Sequence, residues 1–161
     1  MKGFTLIETL VAIAIMMLAI AGPLTIAHKA VQSALYAKDQ ITAYYLAQDA
    51  IEFVRSVRDN NLIATNAGTV TDWLNGLSNC VLPLSCMINT ITGSTNNSGP
   101  LFYDNGKYLY GSGSTSGFTR TINIDTETTN NALVKVIVSW DTGSFTQTFM
   151  VQENMMNIFI Q

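Results

Sequence analysis

A carboxylate inside an otherwise apolar run is the residue of this chain that most needs a chemical reason. Glu8 is the only ionisable side chain in residues 4–27. As a helix, that stretch is long enough to cross the roughly 30 Å hydrocarbon layer of a membrane. An acid near the middle of a bilayer costs on the order of 2.5–3.5 kcal/mol on insertion scales, less near the interface, and is usually functional where it persists. Glu8 therefore predicts a partner; the other reading is a carboxylate that snorkels at the interface of a single-pass anchor. Ahead of it, Lys2-Gly3-Phe4 sets a basic residue and a glycine directly against the apolar run. No A-x-A pattern follows Ala27, where the chain continues as His28-Lys29-Ala30-Val31, so the apolar part is predicted to be retained rather than discarded as a secretory signal.

Other residues with chemical potential are few. His28 is the only histidine and sits at the edge of the apolar run, which leaves a Ser-His-Asp arrangement without a suitable base. No G-x-S-x-G or G-x-x-x-x-G-K-[ST] segment is present. We therefore expect no catalytic residues, no cofactor and no metal. A net charge of −3 and a pI near 4.9 argue against general attraction to nucleic acid. Tyr103, Tyr108, Tyr110, Phe118 and Trp140 could form a ligand face, although alternating aromatics in hairpins more often pack across strands.

The elements that position these residues follow from periodicity. Beyond the apolar run, Ala43, Ala47, Ala50, Val54 and Val57 recur at four- and three-residue steps, with Leu46 and Phe53 widening the stripe, so the helix is predicted to continue to about Arg58 or Asn60. Gly22 and Pro23 interrupt it, because proline has no N–H for the Ala19 carbonyl and its ring crowds the preceding turn. Residues 62–100 read as turn-rich. Strands are predicted over residues 101–103 and 107–110, with a turn at Asp104-Asn105-Gly106, and Gly111 to Gly117 reads as a loop. Further strands follow over 118–124, 133–140 and 144–151. Val134, Val136, Val138 and Trp140 share one strand face and would pack under the helix. The expected fold class is α+β: a long N-terminal helix packed on one four- or five-stranded antiparallel sheet, with a ladle shape.

The run Lys2-Gly3-Phe4-Thr5-Leu6-Ile7-Glu8 resembles the class III leader junction of type IV prepilins and type II secretion pseudopilins. That resemblance implies cleavage between Gly3 and Phe4 by a membrane aspartyl prepilin peptidase, then N-methylation of Phe4. It implies that Glu8 neutralises the Phe4 amine of a neighbouring subunit as helices pack into a filament. The stretch from Leu46 to Asn61 and the succession from Phe118-Thr119-Arg120-Thr121-Ile122 to Val134–Trp140 are similar to minor pilins of the type IV pilus modification type. The chain lacks the cysteine pair near the C-terminus found in many major pilins, which favours a minor subunit.

By this resemblance residues 1–3 are a leader peptide, 4–27 a transmembrane and assembly helix, 28–61 an amphipathic helix, and 62–161 an extracytoplasmic β domain. The protein would reside in the cytoplasmic membrane and then in a pilus or pseudopilus at the cell surface. The implied partners are the peptidase, other pilin or pseudopilin subunits, an inner-membrane assembly platform and membrane lipid, with no nucleic acid. A proline such as Pro23 would let the helix melt as a filament stretches, although it lies slightly before the common family position; an inert kink is the other reading. Cys80 and Cys86 would lie in an oxidising compartment, where a disulfide is favoured over two free thiols or a metal pair. Asp104, Asp125 and Glu127 could bind calcium as in some pseudopilins, or be solvated loop acids.

Overall fold

The computed structural model describes residues 3, 5–69 and 72–158. One helix, α1, runs over Leu6–Asn66, and the chain divides into two compact units, Met1–Asp39 and Gln40–Gln161. The first unit is helical from Leu6, and every described residue up to Lys38 is exposed. The helix continues through Pro23. Nearby, the Thr25 hydroxyl donates to the Gly22 carbonyl at 2.7 Å.

In the second unit α1 buries Ala43, Leu46, Ala47, Ala50 and Val54 of the stripe anticipated from spacing, and also Ile51, which that stripe did not include, with Phe53 and Val57 packed at its margin. The helix outlasts the predicted end at residues 58–60 and stops only at Asn66. Leu62 lies one further turn along and is buried, which rewards continuation. Asn61 does not break the helix because its amide is used elsewhere, donating to the carbonyls of Trp73 and Asn75. Termination falls at Gly68, whose φ of 73° is the left-handed conformation glycine tolerates. Its N–H bonds Thr65 and that of Thr69 bonds Ala64, the paired bonds of a Schellman cap.

Six strands follow: β1 Phe102–Asp104, β2 Lys107–Leu109, β3 Ser114–Thr115, β4 Phe118–Thr128, β5 Asn131–Thr142 and β6 Phe145–Met156. They form two three-stranded antiparallel sheets, β2-β1-β3 and β4-β5-β6, not the single sheet expected from sequence. The hairpin turns at Asn105-Gly106, both with positive φ, as a primed two-residue turn requires. It pairs with β3, inside the stretch expected to be a loop, rather than with β4. Two positive-φ glycines bracket β3 and keep it short. One of them, Gly113, has no room for a side chain, since a Cβ there would lie 2.7 Å from the Tyr103 carbonyl.

The larger sheet builds the core. On β5, Ala132, Val134, Val136, Val138 and Trp140 are buried, and on β4 so are Phe118, Ile122 and Ile124. Each such aliphatic side chain contributes about 1.5–3 kcal/mol. All three strands run longer than predicted. The added residues of β4 are exposed and carry no alternation signal, and the strand passes an irregularity between Asp125 and Thr128; the added ends of β5 and β6 each bury one residue, Ala132 and Met155.

Candidate functional site

Glu8 lies in the first turn of α1, exposed, among the exposed apolar side chains of Leu6, Ile7, Leu10 and Val11. An acid in a first turn gains about 0.3–1 kcal/mol from the helix dipole. That is smaller than the cost of holding it in lipid, so local helix electrostatics alone does not account for it. Gly3 is exposed with open space around it. Met1, Lys2 and Phe4 lie outside the described residues, and with Phe4 go the cleavage, methylation and amine-pairing assignments. The helix is long and apolar enough to cross a membrane, and its apolar stretch is unburied. A Cβ added at Gly22, like one at Gly3, would meet nothing within 4 Å beyond its own stretch of chain.

In the second unit Cys80 and Cys86 form a disulfide. Its loop lies against the outer edge of β4, where Val81 bridges Ile124 and Cys86 bridges Ile122. The Leu82 N–H donates to Ile124 at 2.9 Å, and Cys86 and Ile122 exchange both backbone bonds. The loop therefore covers the β4 edge with backbone partners.

The most constrained polar residue is one that sequence reasoning placed in a strand without giving it a role. Arg120 points inward from β4 between Phe118 and Ile122 and is 1% exposed. Its guanidinium donates to the Leu46 carbonyl at 3.0 Å, the Asp49 carboxylate at 2.8 Å and the Ile88 carbonyl at 2.8 Å. It thus joins helix, sheet and the 88–90 loop, where the Thr90 hydroxyl also donates to Asp49. Alternation carried the signal: an arginine at an inward position of an otherwise apolar strand face requires a buried acceptor set. The Tyr110 hydroxyl donates to the Arg120 carbonyl at 3.2 Å. Burial raises the Tyr110 pKa, with the Arg120 charge opposing the shift. At the other side of the helix Arg55 bonds Glu153 and Glu52, and the Glu153 hydrogen bond is the main reason its pKa is raised.

The aromatic residues pack on each other. Tyr103 meets Tyr108, Tyr108 meets Phe118 edge-on, and Phe118 tilts on Trp140 at 5.9 Å. A cleft of about 400 Å³ lies beside them, lined by Tyr45, Leu46, Asp49, Thr90, Lys107 and Tyr108 among others. Its carboxylate and the Thr90 hydroxyl are already committed to the Arg120 network. Among the described residues no group of three or more His, Cys, Asp or Glu side chains could hold a metal, and Asp104, Asp125 and Glu127 form no such site.

The family model for the prokaryotic N-terminal methylation motif matches residues 1–22. This match supports a type IV pilin-like family, whose members are structural subunits. The motif implies processing by a prepilin peptidase and assembly with other pilin subunits, and together with the apolar helix it fits a membrane-anchored pilin. No curated protein and no solved structure matches the chain significantly.

Proposed function

We propose that this chain is a minor subunit of a type IV pilus-like filament, cut between Gly3 and Phe4, N-methylated on Phe4 and assembled through its N-terminal helix. The observation that carries this reading is the methylation motif over residues 1–22, with Glu8 as the only acid in the apolar run of residues 4–27. After cleavage, Phe4 carries a positive amine and Glu8 follows four residues later, one helical turn along the same face. Pairing Glu8 with a neighbour's Phe4 amine removes two isolated charges from lipid at once. Residues 4–27 are then the membrane and assembly segment, and the sheet-bearing unit lies outside the cytoplasm, where the Cys80–Cys86 bond is stable. The work done is assembly rather than catalysis.

The alternative within this class is a minor pseudopilin of a type II secretion or DNA-uptake system, which the same features support. Co-expression with a prepilin peptidase, followed by mass spectrometry of the mature terminus, tests the proposal. Methylated Phe4 is the expected terminus; an intact Met1 or a cut beyond Ala27 overturns it. A membrane-anchored binding protein would then be the reading to pursue, starting from the cleft beside Asp49.

A further inference from the structure

The two edges of the β4-β5-β6 sheet are treated differently. The β4 edge carries the disulfide loop, and at its start the Phe118 carbonyl accepts from Leu101. The β6 edge has no strand or bridge beside it among the described residues. Proteins normally blunt such an edge with a short strand, a bulge, proline or lysine. The β6 strand uses none of these: it is 12 residues long, contains no Pro, Gly or Lys, and pairs with β5 without a register shift. Its one ionisable residue, Glu153, is bonded to Arg55 of the helix. Met150, near its centre, is 54% exposed and lies on the sheet face away from the helix.

The sequence of this edge is self-complementary in one register. Two copies pairing edge to edge and antiparallel are related by a two-fold axis normal to the sheet, so residues of one face meet residues of the same face. Centred on Met150, Met150 meets itself and Phe149 meets Val151, while Thr148 meets Gln152, Thr146 meets Asn154 and Gln147 meets Glu153. Apolar then opposes apolar, polar opposes polar, and the two Glu153 carboxylates do not face each other. Moving the centre to Val151 sets Phe149 against Glu153 and Met150 against Gln152. Moving it to Phe149 sets Val151 against Gln147.

We infer that the β6 edge binds the β6 edge of a second copy of this chain, antiparallel and centred on Met150. The axis also reverses the helical segment packed on the sheet, so the pair joins copies pointing in opposite directions rather than parallel neighbours in one file. The pairing does not depend on processing at Gly3.

The test uses the full chain in detergent, where copies take either direction. The two native cysteines are bonded to each other, so an introduced thiol is the only free one. In Met150→Cys the two thiols face each other across the axis. In Gln152→Cys, on the same exposed face, the α-carbons are about 14 Å apart, beyond the roughly 7 Å a disulfide spans. Mild oxidation should give covalent dimer from Met150→Cys roughly tenfold faster than from Gln152→Cys. By sedimentation the unmodified chain should dimerise, and Met150→Lys, which opposes two ammonium groups, should weaken the dimer by about tenfold. A monomeric unmodified chain, or equal cross-linking of the two cysteine variants, overturns the proposal.

Discussion

One helix supplies two surfaces of opposite fate. Before Asp39 every described residue is exposed, the large apolar ones from Leu6 to Tyr36 included, with Leu6 and Leu18 more than three-quarters accessible. After Gln40 it presents small ones, Ala43, Ala47, Ala50 and Val54, each at 0% exposure against the sheet. The first stretch keeps about 1.5–3 kcal/mol per side chain of unrealised burial, and the second has already spent its share within the chain. Small residues let the sheet approach closely; large ones await an apolar surrounding that the chain does not itself provide. A change in the first stretch should therefore act on maturation and assembly, and one in the second on folding stability.

The largest effect is expected at the start of the first stretch. Gly3→Leu should leave nearly all of the protein as unprocessed precursor in the membrane, seen by mass spectrometry of the terminus, with the fold of the second unit unchanged. Normal maturation of this variant would remove the cleavage assignment. Glu8→Ala should be processed but enter filaments at about a tenth of the unmodified level or less, since every 1.4 kcal/mol is tenfold and the unpaired amine in lipid costs more than that. Equal incorporation in competition with the unmodified chain would show that Glu8 has no paired role.

Much of this contrast was legible in the residues. The apolar run, its single acid and the three-and-four spacing from Ala43 to Val57 identify both helical stretches, because each is a long repeated pattern. The valine face of β5 was legible for the same reason. Three features were not. The helix end at Gly68 was hidden by Asn60-Asn61, a pair that resembles a stop until Asn61 is seen bonding Trp73 and Asn75. The division into two sheets depends on which strand the Asn105-Gly106 hairpin joins, and pairing between distant segments leaves no periodic trace. The Arg120 network lies outside local pattern because its acceptors sit more than thirty positions away, on the helix and the 88–90 loop.

That network gives the sharpest test of the second region. Arg120→Ala deletes a buried guanidinium and orphans the carbonyls of Leu46 and Ile88, which should cost about 3 kcal/mol in chemical denaturation. Arg55→Ala removes a partly exposed pair with Glu153 and should cost no more than about 1 kcal/mol. A comparable loss from both would mean that Arg120 contributes no more than a surface charge. The same contrast can be drawn along α1 itself. Ala47→Leu inserts three carbons where helix and sheet already touch and should destabilise by about 1–3 kcal/mol. Ala14→Leu, at an exposed position, should change folding stability by no more than about 0.5 kcal/mol.

A pH-dependent effect smaller than that of Arg120 concerns Tyr110, at the margin of the same core. Burial raises its pKa above the ordinary value of 10.0. The folded state thus retains a proton that the unfolded chain releases once pH passes that value. Unfolding then releases a proton, so the Tyr110 contribution to stability is fully present below pH 10 and declines as pH rises toward the folded pKa. Tyr110→Phe should lose about 1 kcal/mol at neutral pH with the bond to the Arg120 carbonyl. Above pH 10 the stabilities of the unmodified chain and Tyr110→Phe should converge, because only the tyrosine incurs the cost of ionising. A constant gap between the two from pH 7 to 11 would mean that Tyr110 ionises as readily in the folded chain as in the unfolded one, and that the Arg120 charge cancels the effect of burial.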